Sequence, residues 1–190
     1  MSTTRRKRIG IDMDEVIADT LGEILIRYNN EFKTSHGKAD FLGRRFWEAV
    51  PPDHRVRIVE YFKDGSIFAD LPVFEHSQEV VAELNQAYEV FITTAAMEVP
   101  SSFTPKFQWL ARHFPFLKPS HIVFCGDKSV LAVDYLIDDN VRHFERLQGE
   151  GIVFTAPHNV GETRYRRVGN WLEVREMFLG PGNNPPLGGV

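Results

Sequence analysis

Ile9-Gly10-Ile11-Asp12-Met13-Asp14 is the stretch on which the fold turns. A short apolar run that ends abruptly in two carboxylates reads as a buried strand whose carboxyl end carries chemistry. Asp12 and Asp14 share one side if strand geometry continues through Met13. Four further apolar runs follow: Tyr88 to Thr94, His121 to Phe124, Asp134 to Ile137 and Gly151 to Phe154. Helical spacing occupies the intervals. Val16, Leu21, Ile24, Leu25, Tyr28 and Phe32 recur mostly three or four apart, which predicts a helix from Val16 to Phe32. Further helices are expected near 53–63, from Gln78 to Ala87, Lys106 to Phe114, Val141 to Leu147, and Trp171 to Phe178. Five strands separated by helices imply an α/β fold with a central parallel sheet covered on both faces. Ligands of such sheets sit at the carboxyl ends of the strands.

The whole chain is compatible with that plan. Its 190 residues fit one domain, or one domain with a small insertion. It is 43% hydrophobic and 25% charged, ordinary values that exclude collagen-like and wholly disordered chains. The net charge of −4 argues against an extended nucleic-acid partner. Arg5-Arg6-Lys7-Arg8 reads as a solvated arm before the first strand. One cysteine, Cys125, permits neither an intrachain disulfide nor a Cys-rich zinc site, and places the protein in a reducing, cytoplasmic compartment. It reads as a small core residue. No run of about 18 apolar residues exists to form a transmembrane helix. Residues 18–75 lack the strand–helix rhythm and read as a helical insertion. Residues 1–17 and 76–179 then form a discontinuous core, and the Gly/Pro/Asn-rich 180–190 an irregular tail.

The strand ends carry Asp12-Met13-Asp14, Thr93-Thr94 and Asp138-Asp139. Four carboxylates at apolar strand ends repel one another unless a cation sits among them. An all-oxygen set suits Mg²⁺ better than zinc. One carboxylate of an Asp-x-Asp pair can attack phosphorus, and the second can protonate the leaving oxygen and then activate water. Thr94 and Lys106 are placed to hold phosphoryl oxygens. Each piece alone has an ordinary explanation: Asp138-Asp139-Asn140 can cap a helix, Thr93-Thr94 can be plain strand, and Lys106 a surface lysine. Their conjunction and order are what point to phosphoryl transfer.

That ordered set resembles the haloacid dehalogenase superfamily, and the chain is similar in particular to its 5′(3′)-deoxyribonucleotidases. The resemblance runs through Asp12-Met13-Asp14-Glu15-Val16-Ile17-Ala18-Asp19, Gly126-Asp127-Lys128 with Asp134-Tyr135-Leu136-Ile137-Asp138-Asp139, and Phe154-Thr155-Ala156-Pro157-His158-Asn159. It implies a Rossmann-like three-layer core with a type-1 helical cap after the first strand. It implies Asp12 as nucleophile and Asp14 as general acid/base. The metal, Mg²⁺, would be held by Asp12, the Asp14 carbonyl and Asp139, with Asp138 orienting a metal-bound water. Thr94, Lys106 and Lys128 would meet the phosphate, and Phe46 and Trp47 the sugar or base. Three positions depart from the family pattern. Glu15 stands where glycine is common, Thr20 where an aromatic is expected, and Glu48 where a small apolar residue follows the aromatic pair. The expected partner is a small phosphorylated substrate, in the first instance a deoxyribonucleoside monophosphate. A sugar phosphate or ribonucleotide, phosphate removal from nucleic-acid ends, and a non-catalytic Mg²⁺- or phosphate-binding role are the alternatives. A homodimer is compatible with the sequence but not specified by it.

Overall fold

The computed structural model describes residues 5–181. The strands are β1 (Arg8–Asp12), β2 (Glu89–Thr94), β3 (Ile122–Phe124), β4 (Tyr135–Asp138), β5 (Glu150–Phe154) and β6 (Arg166–Val168). They form one parallel sheet in the order β3-β2-β1-β4-β5-β6. The topological switch therefore falls at β1, between β2 and β4. The pairings Asp12↔Thr93 and Ile11↔Ile137 bring the chemistry-bearing ends of three strands to one edge.

The sixth strand, Arg-Arg-Val, is too polar and short to show as an apolar run. As an outer strand it needs only one apolar face, and Val168 supplies the buried contact.

The helices are α1 (Thr20–Phe32), α2 (Phe46–Ala49), α3 (Pro52–Lys63), α4 (Ser77–Ala87), α5 (Phe103–His113) and α6 (Trp171–Leu179). Two helix expectations are corrected. The helix expected from Val16 starts only at Thr20, because the Asp19 carboxylate caps it by accepting from the Gly22 amide at 2.7 Å. Val16 and Ile17 are buried in a tight loop instead, whose Ile17 and Ala18 amides donate to the Met13 carbonyl at 3.0 and 2.9 Å. The apolar spacing there records burial without a helix. The segment expected as a helix from Val141 to Leu147 is a single 3-10 turn, Val141–His143, followed by turns. Its Phe144 still packs with Val133, Leu136 and Val153 in a small apolar cluster of its own.

The main core joins β1, β2 and the buried faces of α4, α5 and α6, with Val80, Val81 and Leu84 of α4 fully sealed. Trp109 and Trp171 are equally buried, and each indole also fastens a loop. Trp109 donates to the Leu71 carbonyl and Trp171 to the Val16 carbonyl, both at 2.8 Å.

Between β1 and β2 the chain carries α1 to α4 with their turns, and no strand of the sheet. Tyr28, Phe41 and Phe46 form an aromatic centre there, with ring centroids 5.1–5.2 Å apart and edge-on geometry. The N-terminal arm is tied down rather than free: Arg5 pairs with Asp134 at 3.0 Å, and Arg6 donates to the Asn85, Gln86 and Tyr88 carbonyls. Among the described residues no helix is long and apolar enough to cross a membrane. Of the expected tail, residues 182–190 lie outside the described residues.

Candidate active site

The end of β1 delivers Asp12 into the sheet edge with only 6% of its surface exposed. Isolated burial of a carboxylate is expensive, so the surroundings must compensate. Lys128 does this from the 3-10 turn Lys128–Val130, which is started by Asp127 accepting from the Ser129 amide. Its ammonium is itself sealed from water, and donates to Asp12 Oδ1 and, at 2.6 Å, to Asp138 Oδ2. Burial opposes its charge, but the two carboxylates override this and raise its pKa above the ordinary lysine range. Lys128 was expected to meet phosphate; here its ammonium is engaged by Asp12 and Asp138.

Asp14 belongs to a second ionic group. Lys106 of α5 donates to Asp14 Oδ2 and, at 3.0 Å, to Thr94 Oγ1. The Thr20 hydroxyl donates to Asp14 Oδ1 at 2.8 Å. Burial works against ionisation of Asp14, but Lys106 and the Thr20 hydroxyl prevail and hold its carboxyl below the usual range. Lys106 also lies 4.5 Å from the centroid of the Phe68 ring, so its stem and charge are both enclosed. The threonine that departs from the family pattern thus has a partner of its own.

Asp12, Asp138 and Asp139 each place a carboxylate oxygen within 4.8 Å of the others. Burial pushes the Asp12 carboxyl up to about 7, with Asp138 and Asp14 adding to it against Lys128. Burial and then the Asp138 and Asp12 charges raise Asp139 well above the carboxylate range. This crowding of hard, like-charged oxygens is the donor chemistry of a divalent-cation site, and the three carboxylates fit such an ion. Asp138 was expected outside the ligand shell; its carboxylate is one of the three that converge.

Glu15 lies beside this cluster, and its charge adds to the rise of Asp139. The Glu15 φ of 58° lies in the left-handed region, a backbone conformation that glycine adopts without strain, in keeping with the glycine the family resemblance implies there. Its carboxylate turns onto the start of α1 and accepts from the Leu21 amide at 2.6 Å. Burial pushes that carboxyl up to about 7, against the charge of Lys38.

A cavity of about 260 Å³ opens over Asp12, Asp14, Lys106 and Asp139, with Arg44, Arg45, Phe62 and Phe68 also on its walls. Phe46 and Trp47 both line it, but unequally. Phe46 is buried in the aromatic centre, whereas Trp47 is 48% exposed with the Arg45 guanidinium 5.3 Å from its ring. Sequence reading missed Arg45, Arg142 and His143 on the walls, because lone basic residues in loops carry no pattern. His158 also reaches the cavity: its Nε2 lies 3.4 Å from the Asp139 carboxylate. Cys125 is half-buried at the end of β3 rather than a core residue, its amide donating to the Thr94 carbonyl.

Comparison with known proteins agrees with this geometry. Residues 6–181 match the model of the family described as 5′ nucleotidase, deoxy (pyrimidine), cytosolic type C protein. A Staphylococcus aureus (strain Mu50) protein provisionally named 5′(3′)-deoxyribonucleotidase is 47% identical over 175 residues, 92% of this chain and 96% of that one. The Bacillus subtilis 5′(3′)-deoxyribonucleotidase is 36% identical over 174 residues, 92% of this chain and 99% of its own. Among solved structures, a haloacid dehalogenase family hydrolase of Deinococcus radiodurans, with bound phosphate and sodium, superposes with a TM-score of 0.63. It is 15% identical, with 97% of this chain and 100% of that one covered, so it speaks for the fold. The chain belongs to the family of deoxy (pyrimidine) 5′ nucleotidases of cytosolic type C, and is a nucleotide phosphatase on the haloacid dehalogenase fold.

Proposed function

We propose that the protein is a Mg²⁺-dependent 5′(3′)-deoxyribonucleotidase that hydrolyses deoxyribonucleoside monophosphates through an aspartyl-phosphate on Asp12. The observation that carries this reading is the division of labour at the end of β1. Asp12 faces Lys128, and Asp14 faces Lys106 and Thr94, around one cavity. The names of the Staphylococcus and Bacillus relatives support the substrate class.

In the first half-reaction an Asp12 carboxylate oxygen bonds to phosphorus while the phosphorus–oxygen bond to the nucleoside breaks. Asp14 gives its proton to the departing oxygen. In the second, Asp14 takes a proton from water, whose oxygen attacks the phosphorus. The bond to Asp12 breaks and inorganic phosphate leaves.

Lys106 and Thr94 hold phosphoryl oxygens. A phosphoryl group that draws Lys106 from Asp14 frees that carboxyl to carry the proton. Asp12, the Asp14 carbonyl, Asp138 and Asp139 are the oxygens that would hold Mg²⁺; when bound, the ion offsets the repulsion between the Asp12 carboxylate and an anionic substrate. Residues 18–75 act as a cap over a core of 1–17, of which 5–17 are described, and 76–179, excluding bulk water. Trp47, with Phe46 behind it, packs on the sugar or base. The protein works in the cytoplasm with Cys125 reduced.

Phosphate release from dUMP, dTMP, UMP, a sugar phosphate and an aryl phosphate, with and without Mg²⁺, tests the reading, with Asp12→Asn as control. Deoxyribonucleotides are expected to be turned over fastest, and only with the metal. A sugar phosphate that outpaces every nucleotide would replace the substrate assignment, and full activity in Asp12→Asn would remove the covalent mechanism.

A further inference from the structure

Asp139 differs from Asp12 and Asp138 in having no lysine paired with it among the described residues; its carboxylate lies 3.4 Å from His158 Nε2 instead. Something else must hold it in place, and the 3-10 turn Pro157–Asn159, beyond β5, reaches it twice. Asn159 Nδ2 donates to the Asp139 carbonyl at 2.8 Å and to the Phe154 carbonyl at 2.8 Å. At its other end Oδ1 accepts from the Ala156 amide at 3.1 Å and from Arg167 at 2.9 Å. Two carbonyls at one end and two donors at the other admit only one orientation of the amide.

Asn159 is 6% exposed, so its amide meets little competing water, and its bonds to the Phe154 carbonyl and the Ala156 amide are fully buried. Behind it, the Arg167 guanidinium from β6 also donates to Thr155 Oγ1, the Asn159 carbonyl and the Glu162 carbonyl. Arg167 therefore ties the turn to the sheet, and the turn ties down Asp139. The neighbouring His158 Nε2 lies 3.3 Å from the same Asp139 carbonyl.

We propose that Asn159, braced by Arg167, is a positioning residue that fixes Asp139 in the geometry needed to ligate the metal. The outermost strand then has a functional use: it supplies the arginine that stiffens the least anchored carboxylate of the cluster. The inference rests on the reading of Asp139 as a metal ligand. Hydrogen bonds behind a ligand are worth roughly 10- to 100-fold in metal affinity.

Calorimetric titration of the purified, metal-stripped protein with MgCl₂ tests it, alongside kinetics at saturating Mg²⁺ and thermal melts in chelator. Asn159→Ala is expected to bind Mg²⁺ roughly 10- to 100-fold more weakly. Its KM for a deoxyribonucleoside monophosphate at saturating metal should stay within about two-fold of the parent, since Asn159 meets no substrate. Arg167→Gln, one step further out, is expected to lose affinity by a smaller factor and remains informative if Asn159→Ala does not fold.

Asp139→Asn separates the two readings. If Asp139→Asn binds Mg²⁺ like the parent, the ligand assignment fails. If Asp139→Asn loses the metal while folded Asn159→Ala or folded Arg167→Gln binds like the parent, the positioning proposal alone is overturned.

Discussion

At the carboxyl edge of the sheet, Asp12, Asp138, Lys106 and Lys128 are nearly sealed from water, Lys128 held by the charges of Asp12 and Asp138 and Lys106 by that of Asp14. Across the cavity, the insertion is held by rings: Tyr28, Phe41 and Phe46 meet edge-on, and Phe32 stacks on His54 at 3.7 Å. Charge is long-ranged and unforgiving of a missing partner, whereas apolar packing degrades in proportion to the volume removed. Substitutions at the edge should therefore damage folding where they strand a buried charge, and chemistry alone where the buried lysine keeps a partner. Substitutions in the insertion should divide between stability and substrate affinity, according to depth.

The hardest test of the edge is Asp12→Asn. It removes the attacking oxygen but leaves Asp138 to pair with Lys128. Turnover of a deoxyribonucleoside monophosphate is expected to fall by roughly 10⁴- to 10⁶-fold, the range for loss of a nucleophile. The melting temperature should move little, which a thermal scan of the same preparation checks. Turnover within ten-fold of the parent would mean that the charge pairing at the edge is structural and that the reaction runs elsewhere.

Lys128→Met reverses the emphasis. It leaves Asp12 and Asp138 buried without their cation, and urea denaturation is expected to show a loss of about 3–5 kcal/mol. A loss below about 1 kcal/mol, the scale of an exposed pair, would show that water or rearrangement relieves the edge.

The same contrast separates what sequence reveals from what it conceals. Strands β1, β2, β4 and β5 are legible because burial on both faces leaves nearly continuous apolar runs. Asp12, Asp14, Thr94 and Asp138 are legible because strand ends in a parallel sheet converge. Val16 and Ile17 mislead because a buried loop and a helix start both bring apolar residues close together in sequence. The partner of Lys128 is invisible, since its pairing with Asp12 closes across 116 residues and depends on a turn that has no periodicity. Asn159 is hidden for a like reason: a buried amide serving four backbone and side-chain groups looks in sequence like any loop asparagine.

Phe46 and Trp47 carry the comparison into the insertion, being adjacent in sequence and opposite in environment. Phe46→Ala removes a ring at the aromatic centre and is expected to cost about 3–5 kcal/mol in urea denaturation, with its effect on KM secondary to unfolding. Trp47→Ala removes a half-exposed ring over the cavity. Its stability should change by less than about 1 kcal/mol, while KM for a deoxyribonucleoside monophosphate rises on the order of ten-fold, the worth of one aromatic face. A Trp47→Ala variant with unchanged KM would detach the pair from substrate and leave the insertion a purely apolar lid.

Glu15→Gly is the smallest and most discriminating change, because Glu15 sits on the seam between the two regions. Two effects oppose each other in the folded state. Glycine relieves a left-handed φ of 58° at a residue with a side chain, but loses the carboxylate that accepts from the Leu21 amide at the start of α1. Each is worth about 1 kcal/mol and the unfolded chain gains freedom from the glycine, so the net change should lie within about 1 kcal/mol of zero. KM discriminates further. A carboxylate facing the phosphoryl group would weaken binding, and its removal would lower KM several-fold. Because the Glu15 carboxylate is turned onto the helix start, KM is expected to stay within about two-fold. A sharp fall would mean that Glu15 belongs electrostatically to the charged edge, and that this family departure tunes affinity as well as the backbone.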